Sequence, residues 1–404
     1  MIARRVLARC AAATALVSLC AAPAAAELRT GVQPYIEVQQ VLNAEVDSGD
    51  VLTYTGLAAG VDASLSTRRV RAQISYRYER RFAWREGLDD SDAHSGIAQL
   101  NATLIPNLLR VNAGALATRA RADGRGPIFG FTSVDTGNVS EVYSLYAGPD
   151  LATRVGDLDV TGSYRFGFVE VDNQSFRGLP LPPGAILLDR FDRSTNHSLS
   201  GSVGMGVGNL PFGWTVGGGY FREDAKRLDQ QFEGAFIRGD IVVPVAPTVA
   251  LTAGAGYEKI ESSQQDILRN SAGAPVVTPG GRLIGDPTKP RLLAYETDGF
   301  IWDAGVIWRP SRRTELQARF GRRYGGSTVT GSFRHQFNSR YGVNVSVYDG
   351  VESFGRLLIA DLAAVPVDFD VRRSPLSNNV GGIGGCVFGS DPGTGACFDD
   401  TFQS

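Results

Sequence analysis

The chain has 404 residues, 43% of them hydrophobic and 20% charged, and this composition excludes extended disorder. Its length is unusual for one soluble domain and ordinary for one β-barrel. The formal net charge is −2 at pH 7, so a nucleic-acid partner has no support, because nucleic-acid-binding proteins carry a clear excess of Lys and Arg.

The first 26 residues have the three parts of an export signal. Arg4, Arg5 and Arg9 form a positive region, residues 11–22 are apolar, and Ala24-Ala25-Ala26 fits the small-residue cleavage site. We therefore predict that residues 1–26 are a cleavable signal peptide. Residues 27–404 form the mature chain, and it lacks an apolar run of the roughly 20 residues that a spanning helix needs.

The mature chain alternates apolar and polar residues with a period of two. In residues 70–79, Val70, Ile74 and Tyr78 belong to an apolar row, and Arg71 and Arg77 belong to a polar row. A strand with this pattern has water on one side and lipid or a core on the other. Similar rows recur in residues 57–65, 109–117, 160–168, 199–207, 249–257, 300–308 and 329–347.

Short and long connections separate these segments in turn. Residues 66–69, 106–107, 209–213, 244–247 and 309–313 form short connections; residues 83–93, 121–138, 172–193 and 261–295 form long ones. Transmembrane barrels have short periplasmic turns and long outer loops. We predict an all-β fold, an antiparallel transmembrane β-barrel with about 15 visible strands and 16 or more when complete.

The C-terminal stretch, residues 353–404, does not continue the strand pattern, and we predict that it is a loop on the outer side. It contains Cys386 and Cys397, which in an oxidising compartment predict one local disulfide. An odd strand number would leave an open edge, which lipid forbids. We therefore expect that the chain continues beyond Ser404 through further strands; the alternative is that the count of 15 strands is wrong.

The alternation predicts the positions of two sets of side chains, one facing the lumen and one facing the membrane. The polar faces carry charged residues at mid-strand, which predicts that they line the lumen: Arg71, Arg77, Glu79, Arg165, Glu315, Arg319, Arg323 and Arg334. They either select solutes in a pore or pair with one another as structural charges. Aromatic residues near strand ends predict an interfacial girdle: Tyr78, Trp214, Tyr220, Tyr257, Phe300, Trp308 and Phe337.

Several stretches resemble one family of Gram-negative outer-membrane β-barrels. They are residues 51–54, 75–82, 304–313, 320–325 and 348–356. The family is associated with exopolysaccharide and PEP-CTERM sorting systems, and its members are often labelled "preprotein translocase subunit YajC". The label does not suit this chain, because that subunit is a short protein with one spanning helix. The resemblance implies exopolysaccharide or sorting-system components as partners, and it brings no substrate or catalytic residue.

Motifs for other chemistry are weak. His94, His197 and His335 are far apart in sequence, so we predict no metal site and no cofactor. Asn196-His197-Ser198 suggests a lipid hydrolase, yet adjacent residues on one strand point to opposite faces. We expect that the protein is not an enzyme, and a lipid hydrolase is the least favoured function.

The function predicted from the sequence is a passive channel or export conduit in the cell outer membrane. The alternative is a non-conducting structural or surface-interaction barrel, plugged by a loop such as residues 261–295. Expected partners are outer-membrane lipid, lipopolysaccharide and the barrel-assembly machinery.

Overall fold

The computed structural model describes residues 29–44, 51–84, 90–121, 139–172, 192–208, 210–278, 282–338, 341–370, 386–389 and 395–397. The predicted signal peptide, residues 1–26, lies outside the described residues. Within them, no helix is long and apolar enough to cross a membrane.

Fifteen antiparallel strands form one sheet in which each strand pairs with its neighbours in sequence, from β1 to β15. This confirms the predicted fold class and strand number. The strands are β1 Arg29–Ala44, β2 Val51–Ser66, β3 Val70–Ala83, β4 Ser91–Ile105, β5 Leu109–Arg121, β6 Val139–Val155, β7 Leu158–Asp172, β8 Arg193–Met205, β9 Gly213–Ala225, β10 Gln230–Ala246, β11 Val249–Gln264, β12 Leu292–Ser311, β13 Thr314–Arg323, β14 Gly326–Gln336 and β15 Gly342–Val347.

Connections at one end of the sheet are uniformly short. They span residues 67–69, 106–108, 156–157, 206–212, 247–248, 312–313 and 337–341. At the β6–β7 turn Gly156 has a φ of +61°, a conformation that glycine adopts without strain. At the opposite end the connection between β11 and β12 spans residues 265–291, whereas that between β13 and β14 has only Tyr324 and Gly325. The predicted asymmetry of the connections therefore holds for residues 122–138, 173–192 and 265–291, whereas the connections at 226–229 and 324–325 are as short as the turns at the first end.

The two faces of the sheet have opposite chemistry. In β3, Ser75, Arg77 and Glu79 are buried, whereas Ile74 and Phe82 are 41% and 42% exposed. A soluble protein places its apolar face inside and its charged face in water. Here the apolar face points outward, as a strand wall in hydrocarbon requires. We call the two sides the outer face and the inner face.

The chain after β15 departs from the prediction of a loop on the outer side. It forms helix α1, Phe354–Ala364, which packs on the inner face, followed by three short strands. These strands are β16 Phe369–Asp370, β17 Cys386–Gly389 and β18 Gly395–Cys397. Cys386 and Cys397 are paired positions of β17 and β18, and their disulfide stays a prediction.

Because the apolar face points outward and the charged face inward, the same substitution at adjacent residues of β8 should change the free energy of unfolding by different amounts. Leu199 lies at mid-strand on the outer face and is 54% exposed, whereas Ser200 lies on the inner face. Leu199→Arg should lower the free energy of unfolding by about 2–4 kcal/mol, because it places a charge in hydrocarbon. Ser200→Arg is the matched control and should cost far less. Guanidinium titration in phospholipid vesicles measures both, and equal costs would contradict the assignment of faces.

Candidate functional site

The inner face carries all eight charged residues that the sequence predicts for the lumen. The strand register places them there because their partners on neighbouring strands, such as Asn101 and Thr330, also point inward. The residues are Arg71, Arg77, Glu79, Arg165, Glu315, Arg319, Arg323 and Arg334. Most of them form ion pairs, which is the structural alternative for these charges. Their lining of an open lumen stays a prediction.

One ion-pair cluster lies on β1–β3. Glu79 is fully buried between two arginines: its carboxylate is 2.5 Å from Arg77 and 2.8 Å from Arg81. The amide of Gln39 donates to the same carboxylate at 2.9 Å, and Glu37 lies 3.4 Å from Arg77. Such a buried group of charges is stable only while each member keeps its partners.

A second cluster joins strands that are not adjacent. Arg238 of β10 binds Asp240 at 2.5 Å and Asp303 of β12 at 2.8 Å. Arg319 of β13 lies 3.3 Å from both carboxylates. The cluster therefore joins three strands, β10, β12 and β13, across the inner face.

Three further ion pairs join strands β11 to β14 on the inner face. Arg323 binds the buried Glu258, and Glu315 binds Arg309 at 2.7 Å and Arg334 at 3.8 Å. The carboxylates of Asp240, Asp303 and Glu258 were not found by sequence reasoning. Their position in the inward-facing row of a strand could have identified them from the sequence.

Helix α1 packs on an apolar patch of the inner face. Leu358, Ile359 and Leu362 are nearly fully buried, and they contact a patch built by β4–β7. The patch consists of Ile97, Leu116, Val142, Tyr146 and Val169. These apolar residues interrupt the polar rows of their strands, and they match the apolar side of the helix.

Polar contacts fix both ends of α1. At its N-terminus Glu223 of β9 accepts hydrogen bonds from the hydroxyl of Ser353 and from the backbone N–H of Arg356, the latter at 3.0 Å. A carboxylate is favoured there by the unpaired N–H groups and the helix dipole. At its C-terminal end Gln99 donates to the carbonyl of Leu362 at 2.6 Å; beyond the helix, Gln73 donates to the carbonyl of Phe369 in β16 at 2.6 Å.

Burial raises the pKa of two carboxyl groups, one just before α1 and one within it. Burial raises the pKa of Glu352, against the attraction of Arg356 and Arg323. Burial also raises the pKa of Asp361. Both groups are therefore easier to protonate than in water, since removal from water disfavours the charged form.

The connection between β11 and β12 folds back on the strand ends. Its pairs Ile267–Gly285 and Val277–Leu283 form isolated β-bridges. Lys289 binds Asp266 at 2.8 Å, and this hydrogen bond lowers the pKa of Asp266 and raises that of Lys289.

One salt bridge and one hydrogen bond join the β11–β12 connection to strand ends. Arg282 binds Asp192 at 2.8 Å, and Arg291 donates to Ser263. The segment 265–291 is thus attached to the ends of β8 and β11.

The outer face carries all seven aromatic residues of the predicted girdle. Trp214, Trp308 and Phe337 lie towards the short turns, whereas Tyr257 and Phe300 are paired positions near the middle of β11 and β12 and not at a strand end. The full set is Tyr78, Trp214, Tyr220, Tyr257, Phe300, Trp308 and Phe337. Their contact with a membrane interface stays a prediction.

The three histidines also lie on the outer face, each beside a hydroxyl group. His94 is 2.7 Å from the hydroxyl of Tyr76, and His197 is 2.9 Å from that of Tyr164. His335 is likewise 2.8 Å from the hydroxyl of Thr314.

The described residues contain no group of three or more candidate metal ligands. Ser198 is paired with Arg165 on the inner face. His197 and Ser198 therefore do not form a nucleophile–base pair.

No protein-family model and no curated protein matches the chain. Among solved structures, the chain is similar to OmpT, an outer membrane protein of Vibrio cholerae, at 13% identity and a TM-score of 0.30, over 79% of this chain and 95% of that one. The closed form of the ferric-catecholate import receptor Fiu from E. coli matches at 9% identity and a TM-score of 0.44, over 77% and 56% of the two chains. The copper transporter OprC matches at 12% identity and a TM-score of 0.41, over 78% and 52%.

One expectation is corrected by this comparison. The expectation that the chain is not an enzyme is withdrawn, because the matched structures, which include OmpT proteins and transporters, do not exclude an enzymatic activity. A strand wall of this kind is compatible with an enzymatic activity. At these identities the matches assign neither a substrate nor an activity to this chain.

The chain folds as one sheet of fifteen antiparallel strands with an apolar outer face and a charged inner face, the arrangement typical of a transmembrane β-barrel wall. Its membership of the exopolysaccharide-associated family stays a prediction.

The packing of α1 yields a prediction at Gly167 of β7. A Cβ at this position would lie 2.0 Å from the δ-methyl group of the buried Ile359. Gly167→Ala should therefore cost about 1–3 kcal/mol in the free energy of unfolding, because the buried side chain cannot yield freely. Combining it with Ile359→Ala should relieve part of that cost, which a double-mutant cycle measures. Gly162→Ala, whose Cβ would have its nearest neighbour at 3.9 Å, is the control, and a cycle without coupling would contradict the packing.

The buried cluster yields a second prediction. Glu79→Gln should lower the free energy of unfolding by about 3–5 kcal/mol, because it removes the buried negative charge that lies between the buried Arg77 and Arg81. Glu315→Gln is the matched control, since its partner Arg309 is 59% exposed, and it should cost below about 1 kcal/mol. Denaturant titration in vesicles compares the two, and a cheap Glu79→Gln would show that the cluster does not support the wall.

Proposed function

We propose that the protein is a passive channel or export conduit of the outer membrane, with an arginine-bearing lumen that α1 restricts. The observation that carries this proposal is the chemistry of the inner face. Charged groups such as Arg238 and Asp303 lie there at mid-strand, where a lumen without water would impose a large desolvation cost. A wall with a polar inside and an apolar outside suits an aqueous path.

Among the described residues, three unpaired hydroxyl groups on the strands beneath α1 favour a helix that can move away from the inner face. Ser95, Thr118 and Ser144 are buried there, and their hydroxyls have no protein hydrogen-bond partner in the described part of the chain. A buried hydroxyl left unpaired costs about 1–3 kcal/mol. Moving α1 away would expose these hydroxyls to water, which offsets part of the apolar contact that is lost.

A second candidate function is a non-conducting barrel whose lumen α1 closes. The apolar patch and the contacts of Glu223 and Gln99 favour it, because they hold α1 at both ends. The predicted plug, residues 261–295, has a weaker case, since its described contacts join it to strand ends. The two candidates differ in whether ions pass the folded protein.

Planar-bilayer recording of the full chain distinguishes the two functions. The wild-type protein should give small or infrequent conductance steps, and Leu358→Asp should enlarge them, because it places a charge in the apolar contact of α1. Leu357→Asp is the matched control on the same helix: Leu357 is 42% exposed and Leu358 is 2% exposed. If both variants fold, as judged by heat-modifiable migration, and neither passes ions, the channel proposal fails and the non-conducting barrel is retained.

A further inference from the structure

A cavity of about 390 Å³ lies between the inner face and the residues that follow α1. Strands β3–β7 form its wall, and residues 363–368 cover it. Its volume falls in the range of pockets that hold small molecules. The side chains that matter are Arg71, Asn101, Asn112, Asp150, Arg165 and Asp368.

Among the described residues, two guanidinium groups in this cavity lack the ion pairs that most arginines of the inner face form. Arg77, Arg238 and Arg319 each form ion pairs. In the part of the chain that the structure describes, Arg71 and Arg165 have no ion pair and no side-chain hydrogen bond. Arg165 lies over the ring of Tyr146 at 5.4 Å, a contact that leaves its N–H donors unused.

The acidic groups of the cavity do not balance these arginines directly. Asp150 accepts a hydrogen bond from Asn112, whose carbonyl accepts one from Asn101 at 2.6 Å. Asp368 is exposed at the edge of the cavity. The donors without a partner are therefore those of Arg71 and Arg165. Guanidinium groups bind carboxylates and phosphates through paired N–H donors.

We propose that this cavity is a binding site for a small anion that carries a carboxylate or a phosphate group. Arg71 and Arg165 supply the charge, and the chain of Asn101 and Asn112 supplies further hydrogen-bonding groups. This inference rests on the proposed function and deepens it, because it names the class of solute that the lumen would take. Binding can be measured without ion flow, so the two proposals can fail separately.

The test is isothermal titration calorimetry on the folded full chain in detergent. Inorganic phosphate and succinate are the two anionic probes, and glucose is the uncharged control. Saturable binding of either anion, with none of glucose, supports the site and shows which group it accepts. Absence of binding by both anions overturns the proposal, whether or not the protein conducts ions.

Variants assign the binding to this cavity. Arg71→Gln and Arg165→Gln should each weaken anion binding at least about tenfold, as expected for loss of a charge-assisted hydrogen bond. Arg110→Gln is the matched control, because Arg110 lies on the inner face of β5 but outside the cavity lining; it should change the affinity less than about twofold. Equal effects of the three substitutions would overturn the site.

A measurement on the wild-type protein tests the same site if the variants fail to fold. Phenylglyoxal modifies accessible guanidinium groups, and mass spectrometry locates the modified residues. The anion that binds should protect Arg71 and Arg165 at least about fivefold and leave Arg110 unprotected. Modification of Arg71 and Arg165 that is unchanged by saturating anion would contradict the proposal.

Discussion

Every part of this molecule depends on a sheet whose outer face meets hydrocarbon and whose inner face holds charge. Hydrocarbon offers no hydrogen bonds, so each backbone group inside it must pair with a neighbouring strand. The sequential pairing of β1 to β15 satisfies this requirement along most of the sheet. Because side chains alternate with a period of two, the pairing register decides which residues point inward. A slip of one residue in β3 would bring Ile74 inside and place Arg77 in lipid, and this penalty fixes the register.

The register then determines how the inner charges are satisfied. Charges within one strand meet at positions two residues apart, as for Arg77 and Glu79. Charges on β10, β12 and β13 also meet across strands, because Asp303 of β12 contacts both Arg238 and Arg319. These pairs give most of the inward arginines a structural partner. The paired charges therefore indicate a structural role in the strand wall, and they do not by themselves identify a solute.

The strands were predictable from the sequence and α1 was not, and the difference has a physical reason. Period-two alternation is local, so the rows around Val70 and Phe300 predict their strands without knowledge of their neighbours. The 11-residue helix α1 is too short to be stable by itself, and its stability comes from packing against distant residues. The sequence gives only indirect evidence for the packing site of α1: Ile97 and Val169 are apolar at positions where the alternation requires polar residues. The cross-strand pairs of Arg238 were also hidden, because they depend on register and on the course of the sheet.

The position of α1 follows from the distribution of charge on the inner face. The ion-pair clusters occupy β1–β3 and β10–β13, whereas the inward row of β4, from Ser91 to Thr103, has no charged residue. An apolar helix placed over a cluster would remove charges from water and pay their desolvation penalty. Over β4–β7 it covers a largely uncharged wall, and the one carboxylate it meets, Glu223, lies where the helix N-terminus offers unpaired N–H groups. The charge pattern of the wall thus selects both the site of the helix and its direction.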